Sequence, residues 1–282
     1  MKIIITGATG FIGKRLVQKI DKKNKIIAFA MNSSNVDYLK KAGIEIRYGN
    51  LLDKNSVFNS IKGGDIVIHL ATSHKQGNEG GNILGTKNLI DSCKKNKVKK
   101  IIFISSMATK RKYLDGYGKT KLEIEKMIKS SGLKYVILRP TVIYSEDNLS
   151  LIGKSLKFPF IIPVIGSGKY KLNPVHIEDV TQSIVNVLNN KKAEGKEYDI
   201  AGAENISYNK IIEICKKKFK IKKRVFHIPI FLAVLLLKMI PIISTESIRG
   251  INEDTNANIE PLKRDLKINP RSFEDGIKNV YL

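Results

Sequence analysis

KIIITGATGFIG, residues 2–13, joins an apolar run to a glycine-rich turn. The run predicts a buried strand, and the residues after the turn predict a helix. Gly7 permits the tight turn, Gly10 lets the backbone approach a pyrophosphate, and Gly13 lets helix and strand pack closely. The helix N-terminus offers free N–H groups to phosphates. The stretch therefore predicts a dinucleotide-binding unit; the alternative is a tight turn without a ligand.

The same alternation of apolar and amphipathic segments continues as far as residue 139. Runs such as IIIT, IVIHL and IIFIS are apolar throughout, as in strands buried on both faces of a parallel sheet. The predicted fold class is α/β, a Rossmann doubly wound parallel sheet with a smaller C-terminal substrate lobe. Strands are predicted at 2–5, 26–30, 44–48, 65–70, 100–105 and 135–139, and helices at 11–20, 36–42, 54–61, 82–95 and 117–130.

The pattern changes after Pro140, where prolines and glycines interrupt the chain. Helical periods return at 180–188 and 210–219, with a short strand predicted at 197–200. We therefore predict a Rossmann domain over 1–165 and a smaller lobe over 166–282, interleaved with the end of the sheet.

The composition describes a lysine-rich globular chain. Of its 282 residues, 50 are Lys or Arg and 26 are Asp or Glu, which gives a net charge of +24. Because 42% of the residues are hydrophobic, the chain can bury a core and is not a disordered polybasic tail. Aromatic residues make up 7% with no Trp, and no nucleic-acid-binding module is recognisable, so we predict no nucleic-acid partner.

Cysteine usage and hydropathy predict a reduced, cytoplasmic protein. Cys93 and Cys215 lie far apart without metal-ligand spacing, so we expect no disulfide framework and no metal. The longest apolar run, Ile228–Ile243, has sixteen residues and contains Lys238, and is shorter than the ~20 residues that cross a bilayer. No signal segment precedes the first predicted strand.

YGKTK, residues 117–121, places Tyr117 and Lys121 on one helix face. A neighbouring ammonium favours the phenolate, as an oxidised nicotinamide would. Such a Tyr can take a proton from a hydroxyl or return one to a carbonyl. Ser106, at the end of the fifth predicted strand, could bind the same oxygen. The three predict an acid–base site; the alternative for the Tyr–Lys pair is a common surface pattern.

Seven short motifs follow one another along the sequence in this order: TGATGFIG, VIHLAT, NILGTKNLI, IIFISS, YGKTK, LRPTVIY and NPVHIEDV. In this the chain resembles the extended and atypical short-chain dehydrogenase/reductases, including the nucleoside-diphosphate-sugar epimerases. The resemblance covers residues 1 to about 190 well and the rest loosely. It implies a Rossmann domain that binds NAD or NADP, followed by a substrate lobe.

The resemblance also implies roles for individual residues. Ser106, Tyr117 and Lys121 would be catalytic, the last two also touching the cofactor, and His69 would line the cofactor below the ribose. Asn82 and Ser106 would contact substrate; the alternative for Asn82 is helix N-capping. The remaining implied cofactor contacts are Gly7, Thr9, Gly10, Phe11, Ile12, Gly13, Asn32, Asn50, Leu51, Leu70, Ala71, Thr72, Pro140 and Val142.

The end of the second strand bears on the choice of cofactor. Residues 30–34 read AMNSS and lack the acidic residue that binds the ribose diol of NAD. Without that carboxylate a 2′-phosphate is not repelled, and Lys14 and Arg15 could supply charge. The sequence thus favours NADP over NAD, although Met31 stands where many NADP binders have Arg.

Departures from the family pattern bear on the reaction. Sugar-nucleotide dehydratases carry an acidic pair where this chain has Met107 and Ala108, so dehydration is disfavoured. The loop from Ser106 to Tyr117 is short and basic, with KRK at 110–112. We predict a 4-epimerase or keto-reductase that acts on a secondary alcohol or ketone of a nucleotide sugar; a non-sugar substrate stays open. His176 and Asp179 are expected to order the junction between lobes.

A basic–apolar segment supports a second function class. KKKFKIKKR, residues 216–224, precedes the apolar stretch 225–243. We predict a solvated helix end followed by a substrate-lobe helix; the alternative is weak contact of 216–243 with an anionic membrane. The alternative function is a largely non-catalytic NAD(P)-binding protein associated with a membrane complex or membrane surface. A homodimer is a further expectation.

Overall fold

The computed structural model describes residues 1–73, 77–238, 250 and 252–282, with the side chains of 236–238 left aside. In these residues the strands are β1 Lys2–Thr6, β2 Lys25–Ala30, β3 Glu45–Tyr48, β4 Ile66–His69, β5 Lys100–Ile104, β6 Tyr135–Pro140, β7 Ile143–Tyr144, β8 Ile161–Ile165, β9 Lys171–Leu172, β10 Val175–His176, β11 Lys196–Ile200, β12 Ile206–Ser207 and β13 Arg224–Ile228.

Helices fill most of the connections. They are α1 Phe11–Lys19, α2 Asp37–Lys41, α3 Lys54–Ser60, α4 Glu79–Lys95, α5 Gly116–Lys129, α6 Ser150–Lys157, α7 Ile177–Leu188, α8 Tyr208–Phe219, α9 Ile230–Lys238, α10 Glu260–Leu266 and α11 Phe273–Gly276, with 3₁₀ turns at Met107–Lys110 and Lys191–Ala193. No helix in the described ranges combines the length and apolar character needed to span a membrane.

A seven-stranded parallel sheet forms the centre of the molecule. Its order is β11-β6-β5-β4-β1-β2-β3, so the direction of winding reverses between β1 and β4. Ligands of open α/β sheets bind at such a switch point, outside the carboxyl ends of the strands. The predicted doubly wound α/β fold is therefore confirmed.

The apolar strands explain why this sheet has helices on both faces. Ile3 and Ile5 pack into one core cluster and Ile4 into another, and none of the three is exposed. The first cluster includes residues of α1, α7 and α10, and the second includes residues of α3, α4 and α5. Continuous burial on both faces follows from the runs of Ile and Val.

A third cluster forms a separate core beside the central sheet. It gathers Tyr144, Ile152, Ile162, Ile212 and Phe273, all nearly inaccessible. The cluster draws on segments before and after residues 177–200. In that interval the chain returns to the central sheet, where α7 contacts α1 and β11 pairs in parallel with β6. Two-stranded ladders β7–β10, β8–β13 and β9–β12 complete this region. The domain boundary at residue 165 remains a prediction.

Two predicted segments differ from the observed elements. Helix α4 begins at Glu79 instead of residue 82, so Asn82 lies inside the helix and Asn78 occupies the N-cap position. Two adjacent glycines in the first turn hide this start, because glycine lowers helix propensity. The apolar stretch 225–243 divides into β13 and α9 around Pro229. Its residues 239–243 lie outside the described part of the chain.

Candidate active site

The three glycines of the first turn have different structural roles. Gly7 has a φ of 74°, and a Cβ there would lie 2.7 Å from the Ala71 backbone nitrogen. A Cβ on Gly13 would lie 2.6 Å from the Ala8 Cα and closer still to the Gly7 carbonyl oxygen. A Cβ on Gly10 would meet only the Gly7 carbonyl oxygen, at 3.2 Å. Gly7 and Gly13 therefore serve the fold, whereas Gly10 keeps an exposed backbone surface open to a close ligand.

The N-terminus of α1 has the features of an anion site. Gly10 is its N-cap, no side chain caps it, and its first turn holds no acidic residue. Unsatisfied N–H groups and the positive end of the helix dipole favour a phosphate here. The residues present thus fit the pyrophosphate of a dinucleotide.

The basic residues of α1 do not contribute equally to this end of the sheet. Arg15 binds Asp147 at 2.6 Å and lies 3.9 Å from Glu146, so its charge is compensated. The Lys14 ammonium lies over the Tyr38 ring, 5.4 Å from its centroid, with no ion-pair partner among the described side chains. Of the two cations predicted to favour a 2′-phosphate, Lys14 is the one left available.

His69 is part of the core. Its Nδ1 lies 2.7 Å from Thr6 Oγ1 and its Nε2 lies 3.1 Å from Thr86 Oγ1, and it is 1% exposed. Burial lowers its pKa to about 3, so the ring is neutral. Both ring nitrogens are therefore bound inside the protein, and contact of His69 with a cofactor remains a prediction.

Ser106, Tyr117 and Lys121 are brought together by β5, the 3₁₀ turn 107–110 and α5. Ser106 caps the 3₁₀ turn, accepting from the Ala108 N–H at 3.1 Å, and its side chain is hydrogen-bonded to Tyr117. The Lys121 Nζ lies 5.8 Å from the centroid of the Tyr117 ring and donates to the Ile104 carbonyl oxygen at 2.9 Å. The three side chains therefore share the carboxyl end of β5.

The electrostatics of the trio differ from the expected pattern. Burial raises the pKa of Tyr117, and the Ser106 hydrogen bond and the Arg111 charge oppose that rise. Burial lowers the pKa of Lys121 to about 7, against the raising effect of Glu125. The expected phenolate is thus not favoured by this environment, because the Lys121 ammonium is held on a carbonyl oxygen and burial dominates. Tyr117 is a neutral hydroxyl in this state, ready to donate a proton.

A buried ionic cluster behind the trio was missed by sequence analysis. Glu125 is fully buried and accepts from the Ser105 hydroxyl at 2.5 Å and from Arg139 at 2.8 and 2.5 Å. Arg139 also binds Glu197. Two signals could have revealed the cluster: Glu125 stands four residues after Lys121, and Arg139 is a charged residue inside an apolar strand.

The other predicted cofactor positions follow the carboxyl ends of the sheet strands or the start of α1. Asn32 and Asn50 are exposed after β2 and β3, and the Asn50 carboxamide accepts from the Leu52 N–H at 3.0 Å. Buried Pro140 ends β6. The half-buried positions in this set are Thr9, Phe11, Ile12, Leu51, Leu70, Ala71, Thr72 and Val142. Their contacts with a cofactor remain predictions.

Two further candidates have local structural partners. The Asn82 side chain accepts from the Ser73 N–H at 2.8 Å and donates to the Ser73 carbonyl at 2.9 Å, which closes the loop before α4. N-capping by Asn82 is therefore wrong, and its substrate contact remains a prediction. His176 caps α7 and lies 3.2 Å from Glu146, and Asp179 pairs with Arg271 at 2.9 Å. His176 and Asp179 thus tie the start of α7 to residues 146 and 271, which lie far from it in the sequence.

The sequence of residues 7–191 matches a family profile described as NAD(P)H-binding. The chain belongs to the NAD(P)H-binding family. Together with the names of its relatives, this confirms the resemblance to the extended short-chain dehydrogenase/reductases, and it makes NAD(P) binding a property of the chain.

Relatives of this NAD(P)H-binding protein include both enzymes and an assembly factor. It is 25% identical to an uncharacterized UDP-glucose epimerase, YtcB, of Bacillus subtilis, over 99% of this chain and 96% of the relative. It is 23% identical to the photosystem II assembly factor Ycf39 of Cyanophora paradoxa, over 82% and 72%. A UDP-glucuronic acid 4-epimerase of Bacillus cereus, solved with UDP-glucuronic acid and NAD, matches with a TM-score of 0.81 and 22% identity, over 99% and 97%. The last likeness concerns the fold.

Proposed function

We propose that this protein is an NAD(P)-dependent 4-epimerase or keto-reductase of a nucleotide sugar. The observation that carries the proposal is the Ser106–Tyr117–Lys121 trio at the carboxyl end of β5, one strand from β4 and two from the glycine turn after β1. Relatives named as UDP-glucose epimerases support the substrate class. A dinucleotide laid across the switch point reaches from the glycine turn towards this trio.

The protein side chains move and hold one proton in the proposed reaction. The bound nicotinamide supplies a hydride acceptor or donor. Tyr117 gives its hydroxyl proton to the oxygen of a substrate ketone and, as the phenolate left by that transfer, takes a proton back from a substrate alcohol. Ser106 hydrogen-bonds that oxygen and orients it. Lys121 provides positive charge under the Tyr117 ring and holds the end of β5 through Ile104.

The reaction type is restricted by the residues that follow Ser106. Met107 and Ala108 are buried, at 7% and 6% exposure, and neither can transfer a proton. An elimination that needs an acidic pair at these positions is therefore disfavoured. Epimerisation or simple reduction needs only the single acid–base group that Tyr117 provides.

We also propose a preference for NADP over NAD. No carboxylate stands at residues 30–34 to repel a 2′-phosphate, and Lys14 has no ion-pair partner among the described side chains. We expect Lys14→Met to weaken NADPH binding by about tenfold, the effect of losing one charge-assisted contact, and to leave NADH binding nearly unchanged. Equal losses for both nucleotides, measured by fluorescence titration, would contradict the preference.

The proposed reaction is tested with Tyr117→Phe. We expect turnover to fall by about 10²–10⁴-fold, because the proton donor is removed, while NAD(P)H binding persists. The assay follows exchange between UDP-glucose and UDP-galactose and reduction of a UDP-4-keto sugar. Tyr113→Phe, in the same loop, is the matched control. Full turnover by the Tyr117 variant would exclude Tyr117 as the acid–base group.

Exposed apolar residues beside β8, on β13 and on α9 support the second function class. Phe160 is 89% exposed with a φ of 63°, a conformation that bulky residues rarely adopt. Phe231 and Leu235, four residues apart on α9, are 74% and 62% exposed. On β13 the exposed residues Arg224 and Phe226 share one face. We propose that these exposed apolar residues, together with the lysine-rich segment 216–224, contact an anionic membrane, with or without catalysis.

Vesicle sedimentation tests the membrane proposal. We expect binding to vesicles that contain phosphatidylglycerol, little binding to phosphatidylcholine alone, and release by salt. Phe160→Ser with Phe231→Ser should abolish binding, while Tyr281→Ser, another exposed aromatic position, should not. Binding that is absent at low salt, or unchanged in the double variant, would exclude the proposal. The homodimer and the cytoplasmic location remain predictions.

A further inference from the structure

Arg111 lies in the short loop that joins Ser106 to Tyr117. It directly follows the 3₁₀ turn 107–110, and its N–H donates to the Ala108 carbonyl oxygen. That turn packs on the start of α5, since a Cβ on Gly118 would come within 3.0 Å of the same Ala108 oxygen. This packing brings Arg111 to the N-terminal end of α5, where Tyr117 lies.

The loop is fixed on both sides of Arg111. The Lys110 Nζ binds both carboxylate oxygens of Asp199 at 2.7 Å. The Glu253 carboxylate accepts the backbone N–H groups of Lys112 and Tyr113 at 2.8 and 2.9 Å. The backbone at Arg111 is therefore positioned, and little order is left to impose when a ligand binds.

The Arg111 side chain is half-buried, and the described part of the chain gives it no counterion. Its Nη1 lies 3.5 Å from the place where a Cβ on Gly250 would stand. Among the described residues, no carboxylate lies within 4.0 Å of its guanidinium and no side-chain hydrogen bond is made, whereas Lys110, Arg139 and Arg271 are all paired. Its charge also acts on Tyr117, where it opposes the rise in the pKa of the hydroxyl that burial causes.

We infer that Arg111 binds an anionic group of the substrate, a phosphate or a carboxylate, beside the carbon that Tyr117 serves. The planar guanidinium matches either oxyanion with two parallel hydrogen bonds. The location of the substrate rests on the proposed function, but recognition of the anion does not require turnover. Arg111 would then select charged substrates over neutral alcohols and ketones.

Equilibrium binding to the cofactor-saturated protein tests the inference, because the anion site at α1 is then occupied. The probes are UDP, UDP-glucose, UDP-glucuronic acid and inorganic pyrophosphate, measured by calorimetry. Arg111→Met should weaken binding by about tenfold to a hundredfold, the loss of a charged hydrogen-bonding group. Arg111→Lys should lose less, since it keeps the charge. Lys112→Met, an exposed cation of the same loop, should stay within about twofold.

The probes identify which anion Arg111 holds. A loss for all four assigns it to phosphate, and a loss confined to UDP-glucuronic acid assigns it to a carboxylate. Equal affinities for the parent and Arg111→Met, or no binding of any probe to the parent, overturn the inference. If pyrophosphate binding depends on Arg111 while no nucleotide sugar is turned over, the proposed function fails and the inference stands.

Discussion

Replacing Glu125 by Ala would break the ionic cluster behind the trio. The carboxylate is fully buried and accepts three hydrogen bonds, one from Ser105 and two from Arg139. Without it the Ser105 hydroxyl has lost its acceptor and Arg139 keeps Glu197 as its carboxylate partner. Breaking a buried ion pair costs about 3–5 kcal/mol, and we expect the free energy of unfolding to fall by that amount. Glu125→Gln keeps the shape but loses the charge, and should cost about 1.5–3 kcal/mol.

Urea unfolding at neutral pH measures these losses. Far-ultraviolet circular dichroism is the suitable signal, because the chain has no Trp. Glu197→Gln is the matched control: this carboxylate binds the same Arg139 but is 28% exposed, so we expect about 1 kcal/mol or less. A Glu125→Ala protein within about 1 kcal/mol of the parent would refute the assignment of stability to this cluster.

The same substitution should be visible in the pH dependence of turnover. The Glu125 charge raises the pKa of Lys121, against the burial that lowers it to about 7. In Glu125→Gln that support is gone, so the pKa of Lys121 falls and its ammonium is lost at a lower pH. The alkaline limb of turnover should therefore move to lower pH. An unchanged pH profile would show that Glu125 does not govern the charge of Lys121.

Three further outcomes follow from the sheet and its turns. Gly13→Ala should lower the free energy of unfolding by several kcal/mol, because the added Cβ meets backbone atoms. Gly10→Ala should fold almost normally but lose about tenfold or more in NAD(P)H affinity. Similar melting points for the two variants would contradict this. As the pH is lowered from 6.5 to 3, the free energy of unfolding should fall by about 1.4 kcal/mol per pH unit, because the unfolded state protonates His69 and the native state does not. His69→Gln should flatten that slope when urea unfolding is measured at a series of acid pH values. Lys100→Met should cost about 1–3 kcal/mol in the same unfolding assay, since the buried ammonium donates to two carbonyl groups at the end of α7, both at 2.9 Å; no loss would show that water replaces it.

The sequence predicts the first half of the sheet well because each strand is a buried apolar run. β1 to β6 agree with the predicted strands within a residue or so at most ends. The two-residue strands, such as β7 and β10, have no periodicity that a sequence can show. They exist because Tyr144 and His176 pair across more than thirty residues, which depends on the tertiary fold.

Sequence spacing predicts that the members of the trio lie close together, but it does not predict their electrostatics. The spacing of Tyr117 and Lys121 placed them on one helix face, as the structure does. The direction of the Tyr117 pKa depends on burial and on Ser106 and Arg111, which sequence spacing does not quantify. The Glu125–Arg139 pair joins α5 to β6, and neither residue is a motif by itself.

During synthesis of the chain, β6 is made well before β11, the strand that pairs with its outer edge. Pro140 ends β6 and Lys196 begins β11, so the partner of this strand is synthesised after 55 intervening residues. At ~5–20 residues per second, the ribosome needs about 3–11 s to add them. During that interval the far side of β6 is an open, apolar sheet edge, of the kind that pairs with the wrong strand or with another chain. A ribosome-bound chaperone that covers β6 during translation would therefore be expected to raise the yield of folded protein more than one added after release.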